Sequence, residues 1–135
     1  MKRYTRRLTR RLRGGNAPVR YGNVAVNSRE IPIEVTKGSP TVSVPAGHFL
    51  IMWDKNATNA VGTYLHWIQG NKGPMVSYEG PAPPAGTGTH HYVFRLVKGA
   101  PKSVPGKRAA IDVAAIIGAQ PVIYEKGFTV TAKSK

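Results

Sequence analysis

The chain has 135 residues and a formal net charge of +14, from 20 Lys and Arg residues against 6 Asp and Glu. This length, with 41% hydrophobic residues, is sufficient for one domain with its own core, and so large a charge requires a partner or a compartment to explain it. The absence of cysteine excludes disulfides and thiolate metal sites. Because no apolar run has the length of a membrane span or the character of a secretion signal, we expect an intracellular protein.

The first thirteen residues, MKRYTRRLTRRLR, are strongly basic and contain no acid. Tyr4, Leu8 and Leu12 are spaced by four residues, which would align them on one face of a helix formed against a partner. We therefore predict that this tail binds nucleic acid, an acidic protein surface or an anionic membrane. A solvated tail that aids solubility and a mitochondrial targeting peptide are the alternatives. The predicted contacts come from the basic side chains Lys2, Arg3, Arg6, Arg7, Arg10, Arg11 and Arg13.

Gly14, Gly15 and Asn16 end the basic run and predict a boundary between a tail, residues 1–15, and a domain, residues 16–135. The basic run with its glycine pair resembles the Arg/Gly-Gly tails common on proteins of large DNA viruses. It also resembles the Gly-Gly-x site that some viral and ubiquitin-like proteases cut. A plain flexible hinge is the simpler interpretation of the glycine pair.

Beyond the tail, short β-branched and apolar runs alternate with Pro and Gly, which is typical of a β-rich domain. One helix is predicted over residues 107–117, where an alanine-rich run follows a Pro-Gly pair. Together these elements predict a mainly β fold, an antiparallel β-sandwich with one peripheral helix near the C-terminus. The predicted strands are residues 24–26, 33–35, 41–44, 48–53, 63–69, 92–97, 122–124 and 128–132.

The most informative stretch is residues 78–94, YEGPAPPAGTGTHHYVF. Its prolines fix the backbone in extended or turn conformations, and Gly86 and Gly88 permit a positive φ or a close approach to a ligand. The strand that follows places His90 and Tyr92 on one face. A rigid loop that presents an imidazole and a phenol side by side can bind an anion, so this stretch predicts a binding site.

The same stretch resembles the signature of the phosphatidylethanolamine-binding protein (PEBP) family. In that signature a tyrosine, a Gly-Pro-x-Pro-Pro block and a glycine pair precede His-Arg-Tyr and a strand. Residues 52–58 stand where the family carries Asp-Pro-Asp-x-Pro, residues 65–68 resemble its His-Trp strand, and residues 39–44 its Ser-Pro-x-Leu-x-Trp strand. The blocks occur in family order and cover about residues 24–132.

The resemblance implies a small pocket that binds phosphate or a phospholipid headgroup. Imidazole and phenol groups would donate charge-assisted hydrogen bonds to the anion, while Asp54 would orient a histidine. Without the resemblance, Asp54 could equally cap a turn, and His66 could be a hydrogen-bonded core histidine. Family members bind phospholipid headgroups or phosphorylated peptides and act mainly as inhibitors or scaffolds of kinases and proteases. The implied pocket residues are Asp54, His66, His90 and Tyr92, with Gly80, Pro83 and Pro84 on the rim.

The sequence departs from the family pattern at four positions around this pocket. Asn56 replaces the second aspartate, and Lys55 and Thr58 replace the two prolines of the upstream block. His91 replaces the arginine between the histidine and the tyrosine, and it should point away from His90. Since that arginine and aspartate help to brace the site in the family, their loss predicts a loosened or re-engineered pocket.

No enzyme signature occurs, since the sequence contains no Gly-x-Ser-x-Gly elbow, His-Glu-x-x-His pair or phosphate-binding P-loop. We therefore predict a non-enzymatic binding protein with no catalytic residue, metal or cofactor, which its basic tail docks to a polyanion or a larger assembly. The alternative is a structural virion or nucleic-acid-associated component with a vestigial pocket and capsid proteins as partners. The expected location is the cytoplasm or a virus particle.

Overall fold

The computed structural model describes residues 19–55 and 63–134. Their elements in chain order are β1 (Val19–Tyr21), β2 (Val24–Ala25), a 3-10 helix (Ile33–Thr36), β3 (Thr41–Val42), β4 (His48–Asp54), β5 (Tyr64–Gly70), β6 (Pro74–Val76), β7 (Thr89–Lys98), α1 (Val113–Ile117) and β8 (Val122–Thr131). The strands form a five-stranded sheet in the order β6-β5-β4-β7-β8 and a three-stranded sheet in the order β2-β1-β3. All named strand pairs are antiparallel, so the predicted mainly β, PEBP-like sandwich is confirmed.

Strand β4 lies at the centre of the larger sheet and is buried on both faces, as its continuous apolar sequence predicts. Leu50 and Met52 pack in the inner core between the two sheets. Phe49, Ile51 and Trp53 point the other way, into an outer core that α1 covers. The alternation along β4 therefore joins two separate apolar clusters through one strand.

One end of the larger sheet collects residues from three strands. Asp54, the last residue of β4, pairs with Tyr64 at the start of β5 and with Tyr92 near the start of β7. The chain between β6 and β7 passes the same end, where the Glu79 N–H donates to the His66 carbonyl at 2.9 Å. This convergence places the residues predicted for the pocket near one another.

The predicted helix over residues 107–117 is wrong in its first half, since α1 begins only at its seventh residue. The Arg108 carbonyl accepts from the Leu65 N–H at 2.8 Å, and the Ile111 N–H donates to the Thr63 carbonyl at 3.1 Å. These bonds tie the segment to β5 and to the residue just before it, so tertiary pairing overrides the helical propensity of its alanines.

The predicted strand over residues 33–35 is also wrong, because this stretch is the 3-10 helix. The Val35 N–H donates to the Pro32 carbonyl at 3.0 Å, which closes the turn. The two predicted strands 122–124 and 128–132 are one continuous strand, β8, because Gly127 stays paired with β7. Strands β1 and β6 were not predicted from the sequence.

Some predictions concern residues outside the described ranges. They include the tail, its boundary at residues 14–16, and the block positions Asn56 and Thr58. Within the described ranges, no helix has the length and hydropathy needed to cross a bilayer.

Candidate functional site

Asp54 and His90 form a buried pair at the end of the larger sheet. The register of β4 and β7 sets Asp54 opposite Tyr92, and His90 lies two residues earlier on the same face of β7. The Asp54 Oδ2 and His90 Nδ1 atoms are 2.8 Å apart, and the two residues are only 4% and 2% exposed. The carboxylate thus holds the Nδ1 side of the His90 ring.

The second nitrogen of His90 is bonded to the loop that precedes β7. The His90 Nε2 atom is 2.9 Å from the Thr87 hydroxyl oxygen, and that hydroxyl donates to the Pro84 carbonyl at 2.6 Å. Because a threonine hydroxyl has one hydrogen, and Pro84 receives it, the Nε2 atom must be the donor to Thr87. Both ring nitrogens of His90 are therefore occupied by contacts within the protein, Nδ1 with Asp54 and Nε2 with Thr87.

His66 lies on β5 and carries the opposite hydrogen-bonding pattern. Its Nδ1 atom bonds to the Glu79 carbonyl oxygen, which can only accept, so Nδ1 is protonated. Burial lowers the pKa of His66 and outweighs the carbonyl contact and the Asp54 charge, which raise it. The neutral ring therefore has an unprotonated Nε2, which can accept a hydrogen bond.

Tyr92 lies between the two histidines. Its ring stacks on that of His90, with centroids 6.4 Å apart, and meets the edge of the His66 ring at 5.3 Å. Burial, helped by the Asp54 charge, raises the pKa of Tyr92 well above its ordinary value. The phenol therefore stays protonated and remains available as a hydrogen-bond donor.

A network around Arg108 braces His66 from outside the predicted motifs. The Arg108 guanidinium donates to the His66 carbonyl at 3.0 Å and to the Ser77 carbonyl at 2.9 Å. It also pairs with the Glu79 carboxylate at 3.0 Å, and the Tyr64 hydroxyl donates to the other Glu79 oxygen at 2.8 Å. One arginine thus ties β5 to the segment that positions the His66 ring.

The loop with the predicted rim residues is anchored at both ends. A Cβ atom on Gly80 would lie 2.7 Å from a backbone carbonyl of the 3-10 helix, so only glycine allows this approach. Pro83 is half-buried, Pro84 is exposed, and the Gly86 N–H donates to the Lys133 carbonyl at 2.8 Å. The loop is therefore positioned to hold Thr87 against the histidine.

Comparison with known proteins identifies the fold. Residues 70–128 match the family model of phosphatidylethanolamine-binding protein. The solved structure of carboxypeptidase Y inhibitor, in complex with its cognate proteinase, is similar with a TM-score of 0.67 and 21% identity, over 87% of this chain and 82% of that one. The fold is PEBP-like. A phosphatidylethanolamine-binding protein from Plasmodium falciparum is similar with a TM-score of 0.57 and 17% identity, over 83% and 82% of the two chains. A search of curated protein sequences gave no match.

The PEBP-like fold brings together the four residues that the sequence predicted for a pocket, and the three predicted rim residues lie on the adjoining loop. The other histidines lie elsewhere: His91 is exposed on the opposite face of β7, and His48 is at the far end of β4. Asn56, Thr58 and the basic residues of segment 1–13 lie outside the described ranges. The matched segment 70–128 contains half of the pocket set, since Asp54 and His66 precede it.

The sequence interpretation missed three residues that shape the site. Thr87 lies between the two glycines and three residues before His90, a spacing that could have indicated a hydroxyl folded back onto the ring. Glu79 and Arg108 carry no local signal, because their contacts with β5 depend on the tertiary fold.

Proposed function

We propose that this PEBP-like protein is a non-enzymatic binding protein whose pocket takes a phosphoryl group, as in phosphate or a phospholipid headgroup. The observation that carries the proposal is the contact series Asp54–His90–Thr87, with the Tyr92 ring in contact with both His90 and His66. It gathers two strong donors and one acceptor at the end of a rigid sheet.

The chemistry of the side chains suits a phosphoryl anion. His90 would donate from Nε2, with Asp54 bonded to Nδ1 on the other side of the ring. Tyr92 would donate its phenolic hydrogen, which its raised pKa preserves. The unprotonated Nε2 of His66 would accept from a protonated phosphoryl oxygen or from the ammonium of an ethanolamine headgroup.

The closed geometry adds a step to binding. Thr87 occupies the one nitrogen of His90 that could face a ligand, and both histidines are almost fully buried. An anion would therefore take the place of the Thr87 hydroxyl on Nε2, with a shift of the loop that carries it. Thr87 would then act as a latch that competes with the ligand.

A binding role without catalysis agrees with the role of a protein that has a similar fold. One protein of the same fold is a carboxypeptidase Y inhibitor, crystallised with its cognate proteinase. The site residues form hydrogen bonds with one another and with backbone carbonyls, an arrangement that orients an anion. In this proposal none of the site residues is catalytic.

The basic tail would determine where the protein resides. Seven Lys and Arg residues in its first thirteen positions favour docking on nucleic acid or an acidic protein surface. This charge density also supports the second candidate, a structural virion or nucleic-acid-associated component in which the pocket is a relic. The two candidates differ in whether the pocket binds a ligand.

Imidazole NMR of the full chain tests the pocket. Phosphorylethanolamine should shift the ring signals of His90 and His66 with saturation, and Asp54→Asn should weaken binding at least tenfold because it removes the partner of His90. His48→Gln, at the other end of β4, is the matched control and should bind like the wild type. Saturable binding that leaves both pocket histidines unshifted would contradict the proposal.

A further inference from the structure

The end of the larger sheet opposite the candidate pocket carries three exposed lysines. Lys72 lies in the turn between β5 and β6, and Lys98 is the last residue of β7. The Lys102 N–H donates to the Ile116 carbonyl at 2.8 Å, and its side chain lies against Gly118, where α1 ends beside β7. We call these three lysines the far-end surface.

A groove connects the lysines of the far-end surface. Its volume is about 550 Å³, and its walls include Lys72 on one side and Gly99 and Ala100 on the other. These two small residues stand between Lys98 and Lys102 in the chain. Within the part of the chain that the structure describes, none of the three lysines forms an ion pair. The groove is therefore flanked by three ammonium groups without a counter-charge.

All six acidic side chains of the protein lie away from the far-end surface. Glu125, in the middle of β8, pairs with Arg95 at 2.7 Å. An anion that approaches the far end therefore meets positive charge and no repelling carboxylate. The other five acids lie in segments that the strand register or a hydrogen bond places toward the pocket end: Glu30, Glu34, Asp54, Glu79 and Asp112.

The basic tail joins the domain at the same end. Val19, the first residue of β1, pairs with Val42 in an antiparallel register, so the chain enters β1 from the side of Val44. The Val44 carbonyl accepts from the Asn71 side chain at 2.8 Å, in the turn that also carries Lys72. The six steps of the chain from residue 13 to residue 19 span at most about 20 Å. The charge of the tail can therefore continue that of the far-end surface along one ligand.

We propose that the far-end surface and the tail together dock on the phosphate backbone of a nucleic acid. The inference rests on the docking role proposed for the tail and extends it to the folded domain. Seven Lys and Arg residues in the tail and the three lysines of the far-end surface form a set of positive charges with no acid among them. A nucleic acid presents a dense row of phosphates that matches this set, whereas a protein surface usually mixes charges of both signs.

Docking through the far end leaves the candidate pocket accessible. Strand β4 runs from His48 at the far end to Asp54 at the pocket, and its six steps of about 3.3 Å separate the two ends by about 20 Å. A duplex at the far end would therefore approach His48, which lines the groove, and would not cover His90. Phosphate contacts carry no base information, so the docking should be independent of nucleotide sequence.

The test measures the salt dependence with which the full chain binds a labelled DNA duplex, followed by fluorescence anisotropy. Each phosphate contact contributes about 0.9 to the slope of log affinity against log salt concentration, so Lys72→Gln/Lys98→Gln/Lys102→Gln should lower the magnitude of the slope by about 2.7. Imidazole NMR should show a DNA-dependent shift at His48 and none at His90. Because three contacts alone hold a duplex weakly, a chain without the tail should still be released at moderate salt.

A matched variant controls for the loss of charge. It removes three exposed lysines elsewhere on the domain and should keep the wild-type slope: Lys37→Gln/Lys126→Gln/Lys133→Gln. A wild-type slope in the far-end variant, an equal fall in both triple variants, or a DNA-dependent shift at His90 would overturn the inference and leave the role of the tail intact. Displacement of the duplex by polyglutamate as readily as by an equal charge of unlabelled DNA would overturn the choice of nucleic acid. A wild type without salt-dependent binding would refute both the inference and the docking role of the tail.

Discussion

Substitution of Thr87 by valine should make the protein less stable and its pocket tighter. Valine keeps the branched shape but removes the hydroxyl that accepts from His90 Nε2 at 2.9 Å and donates to the Pro84 carbonyl at 2.6 Å. The folded protein loses both bonds. A ligand, in contrast, no longer has to displace one of them.

The magnitudes follow from these two contacts. Each hydrogen bond contributes about 0.5–1.5 kcal/mol net, and Thr87 is only half-buried, so the free energy of unfolding should fall by about 1–2 kcal/mol. Breaking the bond to His90 costs the wild type about 1 kcal/mol on binding, which corresponds to about fivefold in affinity. Thr87→Val should therefore bind phosphorylethanolamine about fivefold more tightly.

Urea unfolding measures the first effect, and calorimetric titration with phosphorylethanolamine measures the second. Thr87→Ser keeps the hydroxyl and should resemble the wild type in both. The opposite signs of the two effects in the valine variant are the distinctive result. If affinity falls together with stability, the hydroxyl serves the ligand directly and the latch interpretation is refuted.

Three further predictions concern the core, the pH dependence and the tail. Tyr124→Phe should leave the free energy of unfolding in urea unchanged or raise it by up to about 1 kcal/mol, because the Tyr124 hydroxyl is buried without a hydrogen-bond partner among the described residues. A clear loss of stability would mean that the hydroxyl is hydrogen-bonded in solution. Burial lowers the pKa of His66 below its ordinary 6.5, so the unfolded chain binds this proton more readily, and the contribution of His66 to stability is present above about pH 6.5 and is lost as the pH falls. His66→Gln should therefore flatten the acid limb of the curve of stability against pH, whereas His48→Gln should not. Equal curves for His66→Gln and the wild type would contradict the assignment. A chain that begins at Asn16 should stay folded but lose salt-dependent retention on heparin or DNA, and equal retention of the two chains throughout a salt titration would reduce the tail to a solubility aid.

The sequence predicted those parts of the fold that local patterns determine. The buried apolar run of β4 and the common face of His90 and Tyr92 on β7 follow from side-chain periodicity, and the structure confirms both. The start of α1 could not be predicted in the same way, because the backbone groups of Arg108 and Ile111 bond to Leu65 and Thr63 instead of continuing a helix. Residues far apart in sequence decide that competition.

In the candidate site, too, the sequence predicted the local motifs but not the tertiary contacts. The residue types and the order of the motifs brought Asp54, His66 and His90 into one predicted pocket. The state of that pocket depends on contacts that no motif encodes, above all the Thr87 hydroxyl on His90 and the Arg108 clamp behind His66. A motif can predict that His90 binds a ligand, but only the fold shows that Thr87 of the preceding loop is already hydrogen-bonded to its Nε2 atom.

A crystal structure of the full chain with phosphorylethanolamine would test the central claim most directly. The proposed binding mode predicts a phosphoryl oxygen within hydrogen-bond distance of His90 Nε2 and the Tyr92 hydroxyl, with the Thr87 hydroxyl displaced from the ring and Asp54 still bonded to Nδ1. A phosphoryl group bound elsewhere, with the bond between Thr87 and His90 intact at saturating ligand, would contradict it.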